Sequence, residues 1–303
     1  MTKALKYDWK RDIEPFLDTM QTVEGGYTPA ERGVVTLLDG TKVFVKIAIG
    51  DMTKRWLKKE IKVYKILGEA GYTFMPRLLA HNDASDAMAI EYLDQASFDD
   101  MWDEDKLIAI THAQEVLKDY KHLFTDDPDF YFDDADKLEA RWNRIFLGDS
   151  INILNAKFTK FGLSTQFTRE QFETLRKMHD GWKMKQDTLI HEDIRGDNFG
   201  YFADKKLGKL IDWNWLTVGD ESLDTTALFV HMYASGFDPY LIHPEKYDAK
   251  MLVYLICFWL DSVLVGDEDA SDREYRLRVA QATSVKVCLE LLGKKSELLV
   301  NVT

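Results

Sequence analysis

Leu189-Ile190-His191-Glu192-Asp193-Ile194-Arg195-Gly196-Asp197-Asn198, followed by Leu210-Ile211-Asp212-Trp213, sets short apolar runs against loops rich in carboxylates. Thr188-Leu189-Ile190, Phe199-Gly200-Tyr201-Phe202 and Lys209-Leu210-Ile211 read as brief strands, while the chain on both sides, from Lys106 onward, carries helical spacing. Loops held by such a scaffold are where binding and catalytic groups tend to sit. Toward the N-terminus the rhythm differs. A helix is expected around Trp9–Met20, and three strand-like runs fill residues 22–49. Among them, Asp39-Gly40 is a hairpin turn between Val34–Leu38 and Val43–Ile47. Leu57, Ile61, Tyr64 and Leu67 then fall on one helical stripe that Gly71 ends. Strands at Pro76–His81 and Ala87–Tyr92 complete a small five-stranded antiparallel sheet with one helix. The fold class read from this is α+β, with a sheet domain over residues 1–94 and a mainly helical one over 95–303.

Composition narrows the function. The 303 residues carry a net charge of −13, which works against duplex nucleic acid or an anionic membrane as the main partner, since both need a basic footprint. The apolar run from Met251 through Val265 is interrupted by Asp261 and is shorter than a membrane span, so it reads as a buried helix. The N-terminal residues turn charged within ten positions with no apolar core and cleavage site, and a cytoplasmic protein is expected. Cys257 and Cys288 sit in helical apolar patterns and read as core thiols, and the seven histidines show no ligand spacing for zinc.

The opening stretch suits one reaction. Transfer of a phosphoryl group to a hydroxyl needs a carboxylate beside that hydroxyl and oxygen ligands for magnesium, because the moving charge must be neutralised. Asp193 is the candidate to orient or deprotonate the acceptor, with Asn198 and Asp212 as the metal ligands. Asp193 and Asn198 are five residues apart, the interval of a kinase catalytic loop, and Asp212 follows an apolar strand on the return of a hairpin. Singly these residues are ordinary turn formers; as an ordered set they point to catalysis. Lys46 shares a strand face with Phe44 and Ala48, and a cation facing a small sheet needs an anionic partner, which ATP phosphates would supply. Glu60, on the margin of the following helix's apolar stripe, is placed to orient Lys46, the alternatives being a snorkelling lysine and an exposed carboxylate.

On these residues the chain resembles the aminoglycoside phosphotransferase and choline kinase-like family, small-molecule relatives of protein kinases, over most of its length. Gly219-Asp220-Glu221-Ser222-Leu223-Asp224 resembles the stretch that follows the metal-binding loop there, with Asp220 and Asp224 as supports at a helix start. The resemblance implies a protein-kinase-like bilobal fold, ATP and Mg2+ as cofactors, and transfer of the γ-phosphate to a hydroxyl of a small molecule. It also implies further nucleotide contacts. Thr28, before Pro29-Ala30, would face the phosphates; Phe44 would stack on adenine; and Ile90–Leu93 would be the hinge, Glu91 and Leu93 offering backbone groups to the base. His191 reads as a loop support. Arg195 occupies a position from which a guanidinium would stabilise transition-state charge, or would pair with Asp197.

Acidic clusters at Asp99–Asp105, Asp126–Asp136 and Asp267–Asp269 suit a cationic acceptor such as a polyamine sugar or an amino alcohol, although a solvated acidic face explains each as well. Two other readings remain: a catalytically silent nucleotide-binding regulatory module, and a protein kinase. The second is disfavoured because Asp212-Trp213 replaces Asp-Phe-Gly and no Ala-Pro-Glu follows.

Overall fold

The computed structural model describes residues 5–23, 29–131 and 137–295, and they fall into two compact units. One comprises Met1–Tyr131 with Asp187–Val218, the other Phe132–Gln186 with Gly219–Thr303. The change of character near residue 94 is thus a change of element type along the chain, while the loops read as chemical pack with the sheet.

In the first unit, strands β1 (Gln21–Thr22), β2 (Glu31–Thr36), β3 (Lys42–Ile47), β4 (Leu78–His81) and β5 (Ala87–Glu91) form an antiparallel sheet in the order β1-β2-β3-β5-β4. Gly40, at φ +80°, closes the β2–β3 turn, with the Leu37 N–H donating to the Thr41 carbonyl at 2.9 Å. The alternation of β3 then does what a pleat dictates. Val43 and Val45 enter a core with Trp9, Ile13, Val35 and Leu79, and Phe44 and Lys46 go to the other face. Trp9–Met20 is not one α-helix: a π-helical turn, Trp9–Ile13, passes into a 3-10 stretch, Glu14–Thr19. Pro15 has no N–H to continue the ladder, which explains the break.

Helix α1 (Asp51–Ala70) buries Leu57, Ile61, Tyr64 and Leu67, as its stripe requires. Gly71 caps it at φ +89°, a left-handed conformation that costs glycine nothing. Helix α2 (Glu104–Lys118) starts at Asp103, whose carboxylate accepts the Lys106 N–H at 2.7 Å. Four short strands complete the unit: β6 (Thr188–Ile190) beside β9 (Thr217–Gly219), and the hairpin β7 (Phe199–Phe202) and β8 (Leu207–Leu210).

The second unit is helical: α3 (Leu138–Ile145), α4 (Ser150–Lys160), α5 (Arg169–Met178), α6 (Glu221–Ala234), α7 (Ala249–Val265) and α8 (Asp272–Lys295). Helix α7 is buried almost all round, which is why its sequence is apolar without amphipathic relief. Its one carboxylate, Asp261, receives Arg144 at both oxygens, 2.7 and 2.6 Å. Thr168 and Gln171 form the reciprocal cap expected at the start of α5. Cys257 and Cys288 are both buried thiols not joined in a disulfide. Among the described residues no helix is long and apolar enough to cross a membrane.

Candidate active site

Lys46, 8% exposed, leaves β3 on the face away from the valine core, and its Nζ lies 2.7 Å from Glu60 Oε2 and 2.6 Å from Asp212 Oδ1. Burial alone would lower the Lys46 pKa, but the Asp212 and Glu60 carboxylates outweigh it and the shift is upward, so the ammonium stays charged. Asp212 responds oppositely: burial would raise its pKa, but Lys46 holds it down, and it remains a carboxylate. Glu60, 2% exposed, is pushed up by burial and only partly relieved by Lys46. The Lys46 ammonium thus lies between two carboxylates, and Arg32 also acts on Asp212 to keep it ionised.

The loop after β6 brings the remaining groups together. Gly196–Asn198 is a single 3-10 turn, and it directs Asn198 Nδ2 back to the Asp193 carbonyl at 2.8 Å and to Asp193 Oδ2 at 2.9 Å. Gly196 is required by close approach, since a Cβ there would lie 2.4 Å from the Asp99 carbonyl oxygen. The Ile211 N–H donates to the Asn198 carbonyl at 3.0 Å, which sets Asn198 beside the start of the Asp212 turn. Arg195 Nε is 3.0 Å from Asp197 Oδ1 and 3.3 Å from Asp193 Oδ1, so it spans two carboxylates of its own loop. His191 is fully buried, with Nε2 2.9 Å from the Ile211 carbonyl, the loop support expected of it. Glu192 and Asp212 both take positive φ, +69° and +67°, a conformation non-glycine residues keep only where the surroundings impose it.

The donor set fits magnesium. With the Asn198 nitrogen committed to Asp193, its amide oxygen would serve as one ligand and the Asp212 carboxylate as another. Two hard oxygen donors leave the rest of an octahedron to water and phosphate, as Mg2+ prefers. Among the described residues no group of three or more His, Cys, Asp or Glu forms a separate metal cluster.

Of the residues expected around the base, Phe44 is partly buried on the Lys46 face and pairs in register with Ile90. Glu91 gives its N–H to the Arg77 carbonyl at 2.9 Å, its carboxylate accepts from Lys209 Nζ at 2.8 Å, and the Leu93 carbonyl accepts the Ala96 N–H at 3.3 Å. Thr28 lies outside the described residues.

The acidic clusters are largely occupied within the chain. Asp99 accepts from the buried Lys106 at 2.9 Å, Asp103 caps α2, and Asp105 pairs with Lys206 at 2.8 Å. Asp127 pairs with Lys62, and Glu268 is 2.7 Å from Lys157. Of the second cluster, residues 132–136 are outside the described part. Sequence reading missed Asn214. With its amide set to satisfy its neighbours, this buried residue donates to Asp212 Oδ1 at 2.9 Å and accepts from Trp215 Nε1 at 3.0 Å. Trp215 in turn packs on Trp56 of α1 with ring centroids 5.6 Å apart. The Asp-Trp-Asn-Trp run was the available signal.

Solved structures of similar fold include choline kinase from Cryptosporidium parvum Iowa II (12% identity, 97% of this chain and 94% of that one, TM-score 0.57). Choline kinase LicA from Streptococcus pneumoniae is similar at 13% identity over 89% and 95% of the two chains, with a TM-score of 0.55. An aminoglycoside phosphotransferase from Alicyclobacillus acidocaldarius is similar at 12% identity over 97% and 96%, TM-score 0.53. The fold is therefore the protein-kinase-like one. No curated protein matches the chain in sequence. The family model described as "Phosphotransferase enzyme family" matches residues 19–245, a span that holds both the Lys46–Glu60–Asp212 cluster and the Asp193 loop, and the chain belongs to that family of phosphotransferases.

Proposed function

We propose that this protein transfers the γ-phosphoryl group of ATP, with Mg2+, to a hydroxyl of a small molecule such as an aminoglycoside-like antibiotic, an amino alcohol or a sugar. The observation that carries the reading is the buried Lys46, held by Glu60 and Asp212 at 2.7 and 2.6 Å in front of a loop that presents Asp193 and Asn198. Magnesium, when bound through Asn198 and Asp212, supplies charge neutralisation on the phosphates. Lys46 binds phosphate oxygens, and Glu60 fixes its direction. Phe44 packs on the adenine ring, while the Glu91 carbonyl and Leu93 N–H meet its edge. Asp193, oriented by Asn198, accepts the acceptor's proton as the new O–P bond forms and the bond to ADP breaks. Arg195 stands within reach of Asp193 and adds positive charge where negative charge spreads over the transferred group. Thr28 is assigned to the phosphates on the same reading.

The acidic clusters lend a cationic acceptor little support, since most of their described carboxylates already have partners. An ADP-release assay with Mg–ATP against aminoglycosides, macrolides, choline, ethanolamine, hydroxyamino acids and sugars tests the reading. Stimulation by one class is expected and names the acceptor. Nucleotide binding without turnover on any of them would favour the regulatory-module alternative.

A further inference from the structure

A cavity of about 500 Å³ opens beside the C-terminal half of α1, between that helix, the segment leading into β4, and Lys209 of β8. None of the residues proposed for phosphoryl transfer lines it.

Three observations mark it as a binding site. The first is Gly68. Glycine inside a helix is unfavourable relative to alanine, yet sterics do not demand it here. An added Cβ would meet only the Met75 methyl, at 3.5 Å, an ordinary van der Waals distance. The missing side chain leaves the cavity wall open.

The second is Tyr64. It lines the cavity, is 1% exposed, and its hydroxyl has no hydrogen-bond partner among the described residues. Burial first, then the nearby Glu60 and Asp212 charges, push its pKa up, so the group stays a donor. A buried hydroxyl left unmet is costly, a cost that an acceptor atom on a ligand would offset.

The third is charge. In a chain of net −13, the lining holds Lys6, Lys65, Arg77 and Lys209 against one carboxylate, Glu69. Arg77 and Lys209 share Glu91, at 3.6 and 2.8 Å, whereas Lys65 makes no ion pair among the described residues. Met75, Leu78 and Leu79 supply apolar wall.

We propose that this cavity binds a small amphipathic carboxylate, its aromatic or short aliphatic body against Met75 and Leu79, its charge at the rim with Lys65, and an acceptor atom offered to Tyr64. The volume suits a ligand of that size. Tyr64 stands one helical turn beyond Glu60, so an occupant bears on the helix that sets the Lys46 ion pair.

The full-length protein titrated with anilinonaphthalene sulfonate, an aromatic anion whose emission rises in apolar surroundings, tests this without any turnover. It therefore stands or falls separately from the phosphotransfer reading. Saturable one-to-one binding is expected, displaced by octanoate and not competed away by saturating Mg–ATP. Gly68→Phe, which fills the cavity, and Lys65→Glu, which reverses charge at its rim, should each weaken it by about tenfold or more. Lys65→Glu keeps the test open should Gly68→Phe fold poorly. No saturable binding, displacement by Mg–ATP, or wild-type affinity in a folded variant overturns the proposal.

Discussion

Lys46 Nζ and Asp212 Oδ1 are 2.6 Å apart, although 166 positions separate the two residues in the chain. That contact joins the sheet to the hairpin turn and fixes where phosphate and metal charge would meet. Glu60 on the other side of the ammonium makes the arrangement directional, because a lysine with two short carboxylate contacts has little rotamer freedom left.

Replacing Lys46 with Met should remove the phosphate contact and leave two carboxylates without their counter-charge. A fall in kcat/KM of about 10²–10³ is expected, and Lys46→Arg should not restore it, since a planar fork does not fit a site built for a point charge. Steady-state kinetics on both variants decide it; wild-type activity in Lys46→Met would remove Lys46 from the mechanism.

Asp212→Asn should weaken Mg–ATP binding by about 10–100-fold while leaving magnesium-free nucleotide binding closer to wild type. Calorimetric titration with and without the metal separates the two. Equal affinity for Mg–ATP in variant and wild type would deny Asp212 its role as a ligand.

Asp99 is expected to act on stability and not on acceptor affinity, because its carboxylate holds Lys106, a side chain only 3% exposed. Asp99→Asn should cost about 2–3 kcal/mol in denaturant unfolding, with the KM for the acceptor unchanged. A large KM effect with wild-type stability would return this cluster to the acceptor site.

The helical unit should lose stability in acid through Glu268. Burial pushes its carboxyl up, but the hydrogen bond and charge of Lys157 prevail and bring it down to about 2 from an ordinary 4.5. With the folded value depressed, the stabilisation is complete above the unfolded value and fades as pH falls from about 4.5 through about 2. Glu268→Gln should lower stability near neutrality by roughly 1–2 kcal/mol and flatten that acid limb, as pH-dependent melting would show.

The site's frame was legible because its parts obey local rules. The five-residue interval from Asp193 to Asn198 is one turn of loop, the parity of β3 puts Lys46 opposite the valine core, and the stripe of α1 leaves Glu60 at its margin. What escaped depends on distance in the chain. Nothing in Asp99-Asp100-Met101 reveals that Lys106 will be buried against it, and the hold of Asn214 on Asp212 emerges only once the turn takes positive φ. The first helix failed for a local reason that was visible, Pro15 in mid-segment. The acceptor is not written in either level, because charge clusters alone do not distinguish a ligand's partner from an internal salt bridge.

The most direct test of the account compares ADP release by the wild type and Asp193→Asn at saturating Mg–ATP, with whichever acceptor class stimulates the wild type. The variant should bind Mg–ATP nearly as well and turn over about 10³-fold more slowly. Undiminished turnover in Asp193→Asn would contradict the central claim that this carboxylate takes the acceptor's proton.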